Sequence, residues 1–262
     1  MDLGLGGKCA LVMGSSSGLG KAIAEEFARE KARVMLFSPF ADQLAEAQKD
    51  ILEKTGNKPE IFVGSITEPN DIKRLVEATV NRLGPVYALV NNTGGPPAGT
   101  FDSFDDKAWQ EAYELTLLSY IRTIREALPS MRSNGGGRIL NSTSSSVKAV
   151  LDNLILSNTF RMGVVGLAKT LSQELGKDNI LVNVIGPGRI GTARIDYLDK
   201  VRAEKAGTTV EEIQKAAFKG IPLGRYGKPE EYGRLAVFLC SAANTFITGQ
   251  TVLVDGGMVK AV

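Results

Sequence analysis

Residues 8–27 read KCALVMGSSSGLGKAIAEEF, and the fold follows from how this stretch divides. KCALVM is an apolar run of strand length, whereas LGKAIAEEFARE beyond it has the apolar spacing of an amphipathic helix. Gly14, Gly18 and Gly20 separate the two. Glycine at such a junction permits a tight turn, lets the backbone approach a pyrophosphate and lets the helix pack closely on the strand. The free N–H groups at the helix start would face the phosphates. A glycine triplet alone is a weak signal that also fits a purely structural turn; its place in the first strand–helix unit favours dinucleotide binding.

The same alternation repeats outward. Strand-like runs RVMLF (33–37), EIFVG (60–64), YALVNN (87–92), GRILNST (137–143), ILVNVIG (180–186) and TVLVDGG (251–257) are separated by helical stretches. Two helical segments span about 105–132, a long one runs over about 152–176 and a last one over about 229–242. Strands alternating with helices predict right-handed crossovers and a parallel sheet covered on both faces. The predicted fold is therefore α/β: a single-domain Rossmann-type doubly wound sheet of about seven parallel strands flanked by helices, spanning 1–262 without repeat, linker or composition break. The most irregular stretch, 188–226, carries a helix pair at 194–206 and 209–218 and is expected to act as a lid over the C-terminal edge of the sheet.

Composition narrows the function classes. With 43% hydrophobic and 23% charged residues, the chain has the balance of a globular protein able to bury a substantial core. Its 31 basic and 29 acidic residues are spread along the chain. No basic stripe or acidic tail suggests nucleic-acid or membrane partners. The N-terminus carries Asp2, lacks a basic region and has too short an apolar run for a leader or a span, so a cytoplasmic location is expected. Cys9 and Cys240 lack metal-ligand spacing and read as buried apolar residues rather than a disulfide. Histidine is absent. Acid–base chemistry must therefore fall to Tyr, Lys, Cys, Asp or Glu, and no metal site is expected.

The spacing G-x-x-x-G-x-G from Gly14 to Gly20, NNTG at 91–94, VNVIGPGRIGT at 182–192 and FITGQTVLVDGG at 246–257 together resemble the short-chain dehydrogenase/reductase family over essentially the whole chain. Within it, the overall sequence is similar to the 3-oxoacyl-carrier-protein reductases. The resemblance implies a nicotinamide dinucleotide across the C-terminal ends of the strands, hydride transfer between a carbonyl and an alcohol on a small-molecule substrate, and a homodimer or homotetramer built on the two long helices. It implies that Gly14, Ser16, Ser17, Gly18, Leu19 and Gly20 line the pyrophosphate and adenosine, with Ser65 and Ile66 near the adenine. Asn92, Thr93 and Gly94 would sit beside the adenine-side ribose, and Pro187, Gly188, Ile190 and Thr192 near the nicotinamide. Pro187 and Gly188 also fit a simple strand-ending turn. Ser38 stands where an acid would accept from a ribose 2′-OH, so nothing repels a 2′-phosphate, and NADP(H) is slightly favoured over NAD(H).

The reactive positions depart from the family's Asn, Ser, Tyr and Lys. Ser144 keeps the serine, while Thr116 stands for the asparagine, Ser157 for the tyrosine and Arg161 for the lysine. No tyrosine occurs between Tyr120 and Tyr197, so a shift of register does not restore one. A phenol titrates near about 10 and a neighbouring cation can bring it into working range. A serine hydroxyl is a far weaker acid. Arginine keeps a positive charge and donors for ribose hydroxyls, but does not release its proton. Tyr197, Lys148, Asp152 or water are alternative proton sources that the sequence does not rank. The expectation is an NAD(P)(H)-dependent oxidoreductase with an atypical proton donor. The alternatives are a dinucleotide-binding protein with little or no catalysis, acting as sensor or partner subunit, and, more weakly, a lyase in an inherited pocket.

Overall fold

All five side chains of the first strand, β1 (Cys9–Met13), are buried, and they alternate between two faces. Ala10 and Val12 join a core cluster with Ile23, Phe27, Leu44 and Tyr232, whereas Cys9, Leu11 and Met13 join a second with Leu75, Ile124, Met131 and Ala168. A strand that is apolar on both faces has to be covered on both, which is the condition for a parallel α/β sheet. Each fully buried Leu, Ile or Phe contributes about 1.5–3 kcal/mol, so both layers hold the sheet.

The computed structural model describes residues 2–261. The other strands are β2 (Arg33–Ser38), β3 (Glu60–Val63), β4 (Val86–Asn91), β5 (Gly137–Ser142), β6 (Ile180–Pro187) and β7 (Thr251–Val254). They form one seven-stranded sheet in the order β3-β2-β1-β4-β5-β6-β7, with every pairing parallel. The helices in chain order are α1 (Gly18–Arg29), α2 (Ala41–Thr55), α3 (Pro69–Leu83), α4 (Asp106–Tyr113), α5 (Ser119–Ser133), α6 (Ile155–Glu174), α7 (Ala193–Ala206), α8 (Val210–Lys219) and α9 (Pro229–Leu239). Helices α1, α2 and α9 cover one face of the sheet, and α3, α5 and α6 the other. Strand order reverses between β1 and β4, which opens a crevice beyond their C-terminal ends.

Three local differences from the sequence expectation have identifiable causes. The two segments expected over 105–132 form an almost continuous run, because a π-helical turn at Glu114–Leu118 joins α4 to α5. The last helix stops at Leu239, short of 242, where the Ala242 N–H is taken by the Leu3 carbonyl (2.9 Å). The final strand stops at Val254, since the Asp255 carboxylate accepts from the Gly257 and Val259 N–H groups and turns the chain. Cys9 and Cys240 are buried free thiols, each pushed up to about 12 by burial, as expected of apolar packing residues. Among the described residues no helix is long and apolar enough to cross a membrane.

The irregular stretch 188–226 contains α7 and α8, close to the expected helix pair. Fully buried Asp199 on α7 accepts from the Tyr226 hydroxyl (2.8 Å) and faces Arg189 and Arg202 at 3.5 and 3.7 Å. Beyond it, Glu231 takes two bonds from Arg225 (2.9 and 2.7 Å) and one from the Lys228 N–H (2.7 Å), closing the first turn of α9. The Arg225 guanidinium, and then the backbone N–H, lower the Glu231 carboxyl from its ordinary 4.5 to about 2. A carboxylate with a depressed folded-state pKa contributes stability above its unfolded value and loses it as pH falls through the folded one. Glu231→Gln should therefore lower Tm at neutral pH, with the difference from the parent shrinking between about pH 4.5 and 2; chemical denaturation across that range checks it.

Candidate active site

Between β1 and α1 the chain turns through Gly14 and Gly18, whose φ angles of +57° and +55° favour glycine. Close approach makes the requirement stricter. A Cβ on Gly20 would lie 2.1 Å from the Gly14 oxygen, and one on Gly14 would lie 2.8 Å from the Asn92 oxygen. The Asn92 amide donates to the Gly14 oxygen (3.1 Å), tying the loop after β4 to the loop after β1 across the crevice. Ser15 points inward, donating to the Val12 oxygen and accepting from the Phe37 N–H. Ser17 is exposed and does not cap α1, whose first turn carries no acid, so its N–H groups face the crevice without a competing carboxylate. Leu19 packs partly on the core. This cradle fits a pyrophosphate.

At the end of β2 the hydroxyls differ from their simplest expectation. Ser38 is 2% exposed and donates to Ser16 (3.0 Å), which reaches Gln43 on α2 (3.3 Å). Ser38 is therefore a floor residue, and the polar groups above it are Ser16 and Gln43. Beyond β3, the Ser65 hydroxyl pairs with Thr67 (2.8 Å), and its N–H is taken by Asp71 (2.9 Å). The Asp71 carboxyl is lowered first by that N–H and then by Arg74. Ile66 packs against the core.

Three of the four reactive candidates, Ser144, Ser157 and Arg161, lie around the C-terminal end of β5. Ser144 is partly exposed, and its oxygen accepts from the Ser146 N–H (3.1 Å), leaving its own proton free to donate. Ser157 and Arg161 are each 6% exposed, and Arg161 Nε donates to Ser157 Oγ at 3.1 Å. Arg161 Nη1 reaches the Ser142 carbonyl (3.4 Å), which also accepts from the Tyr120 hydroxyl (2.8 Å). The alternative of a solvated or carboxylate-paired Arg161 is thus not what the fold builds: its partners are a hydroxyl and a backbone oxygen. Thr116 is fully buried in the π-helical turn and returns its hydroxyl to the Ala112 oxygen (2.6 Å). Burial pushes the Tyr120 phenol up to about 12, and raises Tyr232, which bridges Ser142 Oγ and the Ile185 oxygen.

The exit of β6 forms the remaining wall. The Gly188 N–H bonds the Val254 oxygen (2.9 Å), placing Pro187 and Gly188 beside β7. Ile190 is buried and bridges to Gly227, so its side chain packs beneath the segment rather than toward the crevice. Thr192 precedes α7 without capping it, and its Cγ2 lies 3.9 Å from the Cβ position of Gly18. Arg194 extends across to Gly95, 3.4 Å from that residue's Cβ position. Thr93 and Gly94 follow Asn92 between these elements. Gln43, Tyr120, Ser142, Tyr232 and Arg194 escaped the sequence; only Tyr120 left a trace there, four residues beyond Thr116 and so on the same side of a helix.

Relatives share this fold. Residues 14–259 match the family model described as enoyl-(acyl carrier protein) reductase. The 3-oxoacyl-[acyl-carrier-protein] reductase FabG of Thermotoga maritima is 32% identical over 97% of this chain and 99% of its own. The 7α-hydroxysteroid dehydrogenase of Escherichia coli K12 is 32% identical over 99% of this chain and 97% of its own, and a structure of 7α-hydroxysteroid dehydrogenase with NADH and 7-oxo glycochenodeoxycholic acid superposes at a TM-score of 0.88. The L-sorbose reductase of Gluconobacter frateurii, solved with NADPH and L-sorbose, is 34% identical over all of both chains with a TM-score of 0.95. The chain belongs to the short-chain dehydrogenase/reductase family.

The cradle makes a sharp demand. Gly20→Ala should destabilise the protein by about 3 kcal/mol, because the methyl meets a backbone oxygen that cannot swing away. Denaturant unfolding measures it, and a stability equal to that of the parent would mean that the Gly14–Gly20 contact is not as close as described.

Proposed function

We propose that this protein is an NAD(P)(H)-dependent oxidoreductase that interconverts a carbonyl and an alcohol without a tyrosine–lysine pair, with NADP(H) preferred. The observation that carries this reading is the Gly14–Gly20 cradle clamped by Asn92 at the reversal of strand order, with the partly exposed Ser144 hydroxyl at the adjacent strand end. The relatives solved with NADPH and with NADH bind at corresponding folds. Neutral Ser16 and Gln43 over Ser38, with no carboxylate at position 38 itself, favour a 2′-phosphate.

A bound nicotinamide would supply the hydride and water the proton that completes the alcohol; the chain supplies orientation and polarisation. Ser144 donates its free proton as a hydrogen bond to the substrate oxygen, polarising the carbonyl. Arg161 is a fixed cation whose remaining N–H groups serve the ribose hydroxyls, and Ser157 orients it through Nε. Thr116 holds the π-helical turn rather than touching substrate. Asn92, Thr93, Gly94 and Thr192 flank the cofactor, and α7 with α8 forms the lid above it. A cytoplasmic homodimer or homotetramer completes this reading. Without a positioned phenol the reaction forgoes an acid-catalytic gain of about 10² to 10⁴-fold, so turnover is slow.

A second reading, a dinucleotide-binding protein with little turnover, is favoured by one observation: Ser157 and Arg161 are nearly sealed and spend bonds on each other. Titration separates the two. NADPH should raise Tm saturably, by about 2.7 kcal/mol of stabilisation at a hundredfold excess over Kd, and NADH should bind more weakly. NADPH consumption with L-sorbose or a 3-oxoacyl-acyl-carrier-protein supports the first reading, binding without consumption supports the second, and binding of neither dinucleotide overturns both.

A further inference from the structure

The buried end of the site contains a phenol that the sequence pattern does not assign. Tyr120 lies on α5, fully buried, and its hydroxyl donates to the Ser142 carbonyl at 2.8 Å. Arg161 on α6 reaches the same oxygen at 3.4 Å. Two donors from neighbouring helices thus converge on one acceptor. The direction of each bond is settled by protonation. Burial holds the phenol at about 12 even with the Arg161 charge pulling it down, so at ordinary pH the hydroxyl is neutral, commits its proton to Ser142 and offers its lone pairs to its neighbours. Arg161 has no carboxylate within ion-pair distance among the described residues. A buried cation without a counter-ion depends on hydrogen-bond acceptors for its place and orientation. Those acceptors are Ser157 Oγ and the Ser142 oxygen, and the second is itself held by the phenol.

We propose that Tyr120 is a positioning residue: from the neighbouring helix it fixes the Ser142 carbonyl on which the Arg161 guanidinium rests, and so aims the remaining Arg161 N–H groups at the cofactor. This rests on the function proposed above and adds the group that lets an arginine occupy the place read as the family lysine's. A tight guanidinium needs its fork fixed in a plane, which a single Nε bond to Ser157 does not do. The Ser142 carbonyl, itself held by the phenol, supplies the second point.

Tyr120→Phe keeps the ring and removes the hydroxyl. It should weaken NADPH binding about tenfold, the worth of one hydrogen bond to a charged group, and the same change made in an Arg161→Lys background should cost much less. In the cofactor-free protein, the Arg161 Nε–H resonance, assigned by its loss in Arg161→Lys, should lose its hydrogen-exchange protection in Tyr120→Phe. If Tyr120→Phe does not fold, the reciprocal measurement decides: the ring resonance of labelled Tyr120 should shift in Arg161→Lys, and an unmoved resonance overturns the proposal. A lower Tm with unchanged NADPH affinity and an unchanged Arg161 signal also overturns it, since that is what a merely structural tyrosine gives. If the parent binds no dinucleotide, the function reading fails, and the Arg161 signal alone then upholds or overturns the positioning role.

Discussion

The Gly14 carbonyl oxygen is wedged between Gly20 and the Asn92 amide, 2.1 Å from where a Cβ on Gly20 would sit and 3.1 Å from the Asn92 nitrogen. That contact fixes three things together. It sets how closely α1 approaches β1, where the N-terminus of α1 points, and how far the loop after β4 stands from it. Ser15 completes the constraint by bonding the same turn to β2. The crevice at the reversal of strand order is thus a rigid consequence of one backbone oxygen and its neighbours, and every other part of the site is placed relative to it.

A second carbonyl, that of Ser142, organises the opposite end. It gathers Arg161 from α6 and Tyr120 from α5, while the Ser142 hydroxyl holds Tyr232 from α9. The two ends differ in chemistry. At the glycine end the donors are open to the crevice and the loop carries no acid, as an anion requires. At the Ser142 end the polar groups are buried and mostly satisfied by one another, leaving the partly exposed Ser144 as the accessible hydroxyl. Such a site binds and orients well and moves protons poorly.

The parts legible in the sequence were those with local causes. The unbroken apolar run of β1 and the helical period of α1 are written in KCALVMGSSSGLGKAIAEEF, and the parallel sheet follows from its repetition. The glycines at 14, 18 and 20, between a strand-like run and a helical one, mark the tight turn from β1 into α1. The parts that stayed hidden depend on contacts between distant segments. Helix α9 ends where Leu3 takes an N–H; Ser38 is spoken for by Ser16; Gln43 enters from a helix whose sequence marks only an apolar stripe. Backbone oxygens carry no residue letter, so the Ser142 node, and with it the partner of Arg161, could be found only from coordinates.

The central claim is that this scaffold transfers hydride without a phenol at position 157. It is tested most directly by a single turnover with NADPH carrying deuterium at the transferable nicotinamide position and the two carbonyl probes named above. The account predicts one deuterium on the new carbinol carbon of the product, formed slowly. Product that forms without deuterium would contradict it, as would a substrate consumed while the NADPH stays unoxidised.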